Sequence, residues 1–218
     1  MPIRVRLPIK LHEMTPAFRK HLIKLVEESG GKVAVLVHPF YNEQEFASYP
    51  HQNVFMEPPS KRVKDTKKIR DYYSSLVRFS KSKKLPLAIV FEGHDEIGKT
   101  HARLVKHYPE KDWVYVPTEP GHGRLLHNTS WERVLSILED LGVKRVFLAG
   151  AYFSFAPPSI FLSPSEEKEK KIYCTKCVGA VYQNLGKSTS FKVELLPKTI
   201  LGNAEAYLNL DYPPRKKL

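Results

Sequence analysis

The chain has little cysteine and no long apolar run. Cys174 and Cys177 are its two cysteines in 218 residues, in the order C-T-K-C. Two thiols so close together cannot frame a disulfide-stapled fold. One C-x-x-C supplies half of a zinc site at most, and two ordinary thiols is the plainer reading. The longest apolar stretches, VAVLV (33–37) and LAIVF (87–91), fall far short of the roughly 20 residues a membrane-spanning helix needs. The opening MPIRVRLPIK lacks the continuous apolar core of a signal peptide. The expectation is a cytoplasmic protein with no membrane partner. Acidic residues are also scarce, 23 against 35 Lys and Arg, which leaves a net charge of +12.

Hydrophobic residues make up 42%, enough for a real core and against wholesale disorder. The length fits a single α/β domain over 1–218. The excess positive charge gathers in SKRVKDTKK (60–68), KSKK (81–84) and RKKL (215–218). Such clusters attract nucleic acid or anionic ligands, so a nucleic-acid partner is one expectation. Solvated helix faces and a basic tail explain the same clusters without a partner. Oligomeric state is not legible.

Helix and strand patterns alternate along the chain. Thr15-Pro16 reads as an N-cap with proline first in the helix. Phe18, Leu22, Leu25 and Val26 recur at helical spacing until Gly30-Gly31. VAVLV then reads as a parallel strand buried on both faces. A helix over 69–77, a strand at LAIVF and a short helix after Gly98 follow. DWVYVP (112–117) is a third strand, and 129–141 a helix ended by Gly142. RVFLAG (145–150) is a fourth strand, Val178, Val181 and Leu185 mark another helix, and FKVELL (191–196) is a fifth strand. The pattern predicts a three-layer, Rossmann-like α/β fold. It has a mainly parallel sheet of five or six strands with helices on both faces. Residues 1–11 and 203–218 are expected as edge strands or extensions, and 39–60 and 151–171 as long loops.

Ligands of open parallel sheets sit beyond the carboxyl ends of the strands. That rule selects His38 after the first strand, then Glu92, Gly93, His94, Asp95 and Glu96 after the second. It adds Thr118, Glu119 and His122 after the third, and Gly150 after the fourth. These side chains include enough N and O donors for a metal, but no ligand spacing supports one, so no metal site is assigned. The segment GHDEIGKT (93–100) fits G-x-x-x-x-G-K-[ST] and lies between a predicted strand and helix. Gly93 and Gly98 would shape such a loop, Lys99 would reach the outer phosphates, and Thr100 would hold Mg²⁺. Mg²⁺ and ATP are the cofactors implied by that alternative alone.

The stretch IVFEGHDEIGKT resembles the phosphate loop of thymidylate kinases, and VPTEPGHG (116–123) resembles that family's segment after the next strand. That resemblance implies nucleotide binding or phosphotransfer. A longer series resembles the isochorismatase-like cysteine hydrolases: VAVLVHPF, KLPLAIVFE, WVYVPTE, WERVLSILEDLGVKRVFLAGA and CVGAVYQNLG. In that family the catalytic set is an aspartate ending strand one, a lysine after strand three and a cysteine in a C-V pair. Here those positions carry His38, Thr118-Glu119 and Cys177-Val178. The substitutions suggest another set, with Cys177 as nucleophile, His38 as its base and Glu119 orienting the histidine. The leading expectation is thus a small hydrolase with altered catalytic residues, ahead of a nucleotide kinase. Its substrate is a small molecule, with a phosphorylated one left open. A basic nucleic-acid-binding protein without catalysis is the third reading.

Overall fold

The computed structural model describes residues 8–40, 74–75, 78, 85–93, 97–106, 108–119, 125–126, 129–156 and 173–202. Helix α1 (Pro16–Glu28) begins where the cap signal places it. Thr15 is extended, its hydroxyl accepts a hydrogen bond from the Phe18 amide, and Pro16 opens the helix. At the other end the Gly30 amide donates to Glu27 O and the Gly31 amide to Val26 O, the paired closure of a Schellman motif. Strand β1 (Lys32–Val37) follows at once.

The remaining elements are β2 (Ala88–Glu92), α2 (Ile97–Leu104), β3 (Trp113–Pro117), α3 (Trp131–Asp140), β4 (Arg145–Ala156), β5 (Tyr173–Thr175), α4 (Lys176–Leu185) and β6 (Lys192–Gly202). Five strands run parallel in the order β3-β2-β1-β4-β6. The short β5 pairs antiparallel with the far end of β4. The α/β class and the mainly parallel sheet of five to six strands are therefore as the alternation implies.

The odd-numbered residues of β1 and β2 face one layer, with Val33, Val35, Val37, Ile89 and Phe91 packed against α1, α3 and α4. Their even-numbered neighbours Ala34, Leu36, Ala88 and Val90 meet Ile97 and Leu104 of α2 on the other side. All of these strand residues are fully buried, which explains why they read as continuous apolar runs.

Two boundaries differ from expectation. Strand β4 continues through residues 151–156, which the sequence assigns to a loop. Its extension is held by β5 on one side and by the end of β6 on the other. Strand β6 runs on to Gly202, with register shifts against β4 that absorb the irregular stretch. Both extensions rest on partners distant in sequence, which local pattern cannot show. Of the N-terminal segment, Lys10 forms one isolated bridge to Tyr115 beside β3. The expected helix over 69–77 lies largely outside the described residues, and 203–218 entirely so. Among the described residues, no helix is long and apolar enough to cross a membrane.

Candidate active site

The strand order reverses its direction of winding between β1 and β4. In a doubly wound sheet this switch leaves a crevice at the carboxyl ends. His38 stands at that point, one residue past β1, and is 6% exposed. Its φ is 42°, a left-handed conformation unusual outside glycine. Such a backbone costs about 1–3 kcal/mol and persists only when its surroundings over-determine it. Here the His38 amide donates to Phe91 O at 2.9 Å, and the ring is pinned as well.

The pin is Glu92, the last residue of β2. Nδ1 of His38 lies 2.6 Å from Glu92 Oε1, with both side chains buried. The same carboxylate accepts the Gly93 amide at 2.9 Å and the Thr100 hydroxyl, on its other oxygen, at 2.8 Å. Thr100 lies in α2 and is itself buried. Burial opposes ionisation of Glu92. The His38 charge, then the hydrogen bonds from His38, Thr100 and Gly93, overcome it and hold the carboxyl below its ordinary range. Burial likewise opposes protonation of His38. The Glu92 carboxylate and then the Cys177 sulfur outweigh it and hold the imidazole protonated well above its ordinary 6.5.

Cys177 reaches the same histidine from the opposite side of the sheet. It is the second residue of α4 and packs with the layer that contains α1 and α3, whereas Thr100 belongs to the α2 side. Its side chain is a thiol, not half of a disulfide, and is 2% exposed. Its sulfur is one of the groups that favour the protonated His38 ring. Nε2 of His38 is buried and makes no hydrogen bond of good geometry among the described residues. The sheet edge thus carries, in order, a hydroxyl donor, a carboxylate, an imidazolium and a thiol.

The carboxylate on His38 is Glu92, in the place that the sequence reading gives to Glu119. Glu119 stands half-buried two residues past β3, one strand farther from β1. Glu92 carried a usable signal, since a carboxylate ending a wholly apolar strand needs a partner. The partner itself could not be seen, because 54 residues separate it from His38.

The four phosphate-loop residues also have definite places. Gly93 closes β2, and its carbonyl accepts the Ile97 amide. Gly98, Lys99 and Thr100 lie in the first turn of α2, with Lys99 exposed and Thr100 committed to Glu92. A Cβ at Gly98 would meet nothing within 4 Å, so no close backbone approach explains that glycine. His94, Asp95, Glu96 and His122 lie outside the described residues, as do the basic clusters 60–68, 81–84 and 215–218. Among the described residues, no three His, Cys, Asp or Glu side chains gather as metal ligands do.

Thr100 offers a direct check on this arrangement. Thr100→Val removes a hydroxyl that donates to a buried carboxylate. It should cost about 1.5–3 kcal/mol in urea unfolding. An unchanged midpoint would show that the hydroxyl does not support Glu92.

Comparison of the chain with family models, with curated proteins and with solved structures finds no match.

Proposed function

We propose that the chain is a thiol-dependent hydrolase of small acyl compounds, with Cys177 as nucleophile, His38 as acid and base, and Glu92 as the residue that orients His38. The observation that carries this reading is a buried imidazole at the strand carboxyl ends that a carboxylate pins at 2.6 Å and whose protonated form the Cys177 sulfur also favours. An imidazolium and a helix N-terminus both favour the thiolate, the form that attacks. Glu92 fixes the ring by holding Nδ1, so that Nε2 is the nitrogen left to exchange protons with the substrate.

The chemistry follows from those positions. The Cys177 thiolate adds to the carbonyl carbon of an amide or ester. The C–O π bond breaks and leaves an oxyanion. Collapse of this adduct expels the amine or alcohol, which takes its proton from His38. A thioester to Cys177 and a neutral His38 remain. His38 then removes a proton from water as the water oxygen attacks the thioester carbon. Collapse breaks the C–S bond, releases the acid and restores the thiolate–imidazolium pair. Glu92 stays ionised throughout and stabilises the imidazolium each time it forms. The likeness of the strand series to isochorismatase-like hydrolases supports the same class of chemistry with a changed residue set.

Labelling tests this reading without knowledge of the substrate. Cys177 in the native protein should react with iodoacetamide at neutral pH, as located by peptide mapping. His38→Ala should slow that reaction roughly 10–30-fold. An unpaired thiol is only a few per cent ionised there, whereas a paired one is largely ionised. An inert Cys177, or a rate indifferent to His38, would sink the proposal.

The nucleotide-binding reading is the less well supported of the two. It asks Thr100 to coordinate Mg²⁺, and the Thr100 hydroxyl already donates to Glu92.

A further inference from the structure

We infer that Thr118 is a substrate-binding residue of this site and selects acyl compounds with a neutral hydrogen-bonding group, a hydroxyl or an amide, at the end remote from the scissile bond. The inference rests on the thiol-hydrolase reading and adds to it the place where the far end of the substrate is held.

Two observations carry it. Among the described residues, Thr118 Oγ1 is a buried hydroxyl with no hydrogen-bond partner, on a residue only 1% exposed. Leaving a hydroxyl buried and unpaired costs about 1–3 kcal/mol, so such a group calls for an explanation. The other observation is position. Thr118 directly follows β3, and its amide donates to the backbone oxygen of Glu92 at 3.0 Å. His38 is joined through its own amide to Phe91, on the other edge of β2. Thr118, Glu92 and His38 therefore form one row along the carboxyl ends of β3, β2 and β1. His38 brings to this row a second buried polar atom without a well-formed bond, Nε2.

The spacing sets the size of the ligand. Neighbouring strands stand about 4.8 Å apart, so His38 and Thr118 are roughly 10 Å apart from backbone to backbone. That separation is about the length of a small acyl compound. Charge sets the chemistry of the far end. Thr118 offers an uncharged buried hydroxyl, and its amide is tied to the backbone oxygen of Glu92. A hydroxyl or amide of the ligand pairs with that group without the desolvation penalty that burying a carboxylate or phosphate carries.

Two thiol reagents of similar size and shape make the test. They are the chloroacetamide of ethanolamine, which ends in a hydroxyl, and the chloroacetamide of propylamine, which ends in a methyl. Each forms a thioether as the Cys177 thiolate displaces chloride. Rates at Cys177 are followed by peptide mapping over a range of reagent concentrations, with Cys177→Ser as the blank. The wild-type protein should prefer the hydroxyl reagent roughly five- to tenfold, through tighter binding before the reaction. Thr118→Val should abolish the preference, and Thr118→Ser should restore it. Melting curves keep folding separate, since valine is isosteric and removes a hydroxyl that has no partner among the described residues. Labelling that shows no preference in wild type, or a preference that survives in Thr118→Val, would overturn the role of Thr118 and leave the thiol chemistry standing. A Cys177 that reacts with neither reagent would overturn both.

Discussion

Gly150→Ala should be among the most damaging single substitutions in this chain. Gly150 lies opposite Val37 in the β1–β4 pairing, at a φ of 133° that side chains with a Cβ rarely adopt. A Cβ there would stand 2.0 Å from Val37 O and 2.7 Å from Val37 N. Those are backbone atoms of the central strand, one residue before His38, and they cannot swing away as a flexible side chain could. Backbone strain and overpacking each cost about 1–3 kcal/mol, and together they predict a loss of about 3–5 kcal/mol. In a domain of this size that lowers Tm by roughly 6–20 °C. The site should suffer too, because whatever shifts Val37 also shifts His38. Gly98→Ala is the internal control. It lies in α2 with open space at its Cβ, and should be neutral or stabilise by about 0.5–1 kcal/mol. Equal effects of the two alanines on thermal unfolding would refute the close approach of β4 to β1.

The second large effect is expected from Glu92→Gln. The substitution keeps shape and leaves His38 buried without its counter-charge. Breaking a buried ion pair in this way costs about 3–5 kcal/mol. Its pH dependence is the more telling part. His38 is raised above its ordinary 6.5, so its contribution to stability is complete below 6.5 and fades as pH climbs through the raised value. Glu92 is lowered from its ordinary 4.5, so its contribution is complete above 4.5 and fades as pH falls through the lowered value. The stability gap between wild type and variant should be widest between those two ordinary values and should close on the alkaline side. Without the carboxylate, the Cys177 sulfur is left to oppose the burial that pushes His38 toward the neutral form. Labelling of Cys177 should therefore slow in Glu92→Gln almost as much as in His38→Ala. Urea unfolding of both proteins across the pH range provides the check. A gap of constant width would show that the pair does not titrate with folding.

The residues of the sheet edge divide clearly into those that local pattern reveals and those that it does not. The places of His38 and Cys177 were legible because His38 follows an apolar strand and Cys177 opens the apolar pattern of a helix. The roles of Glu92 and Thr100 were not. Thr100 looks like a magnesium ligand when GHDEIGKT is read as a linear motif, yet in space its hydroxyl supports the carboxylate at the end of β2. Gly150 looks like an ordinary end of strand RVFLAG, and only the approach of β1 shows why a glycine stands there.

By itself the amino-acid sequence determined the α/β class, the parallel character of the sheet and the layers of the core. It also determined the edge of the sheet at which polar side chains collect. These follow from the period of the apolar residues, from the cap at Thr15, and from the full burial of both strand faces. All of them are written in stretches of a dozen residues or fewer. Only the tertiary structure decided which polar groups meet. The pairing of His38 with Glu92, the reach of Cys177 to the same imidazole from the other layer, and the extension of β4 along β5 and β6 all join distant segments. The order β3-β2-β1-β4-β6 brings those segments together, and that order depends on packing between elements that no local period encodes.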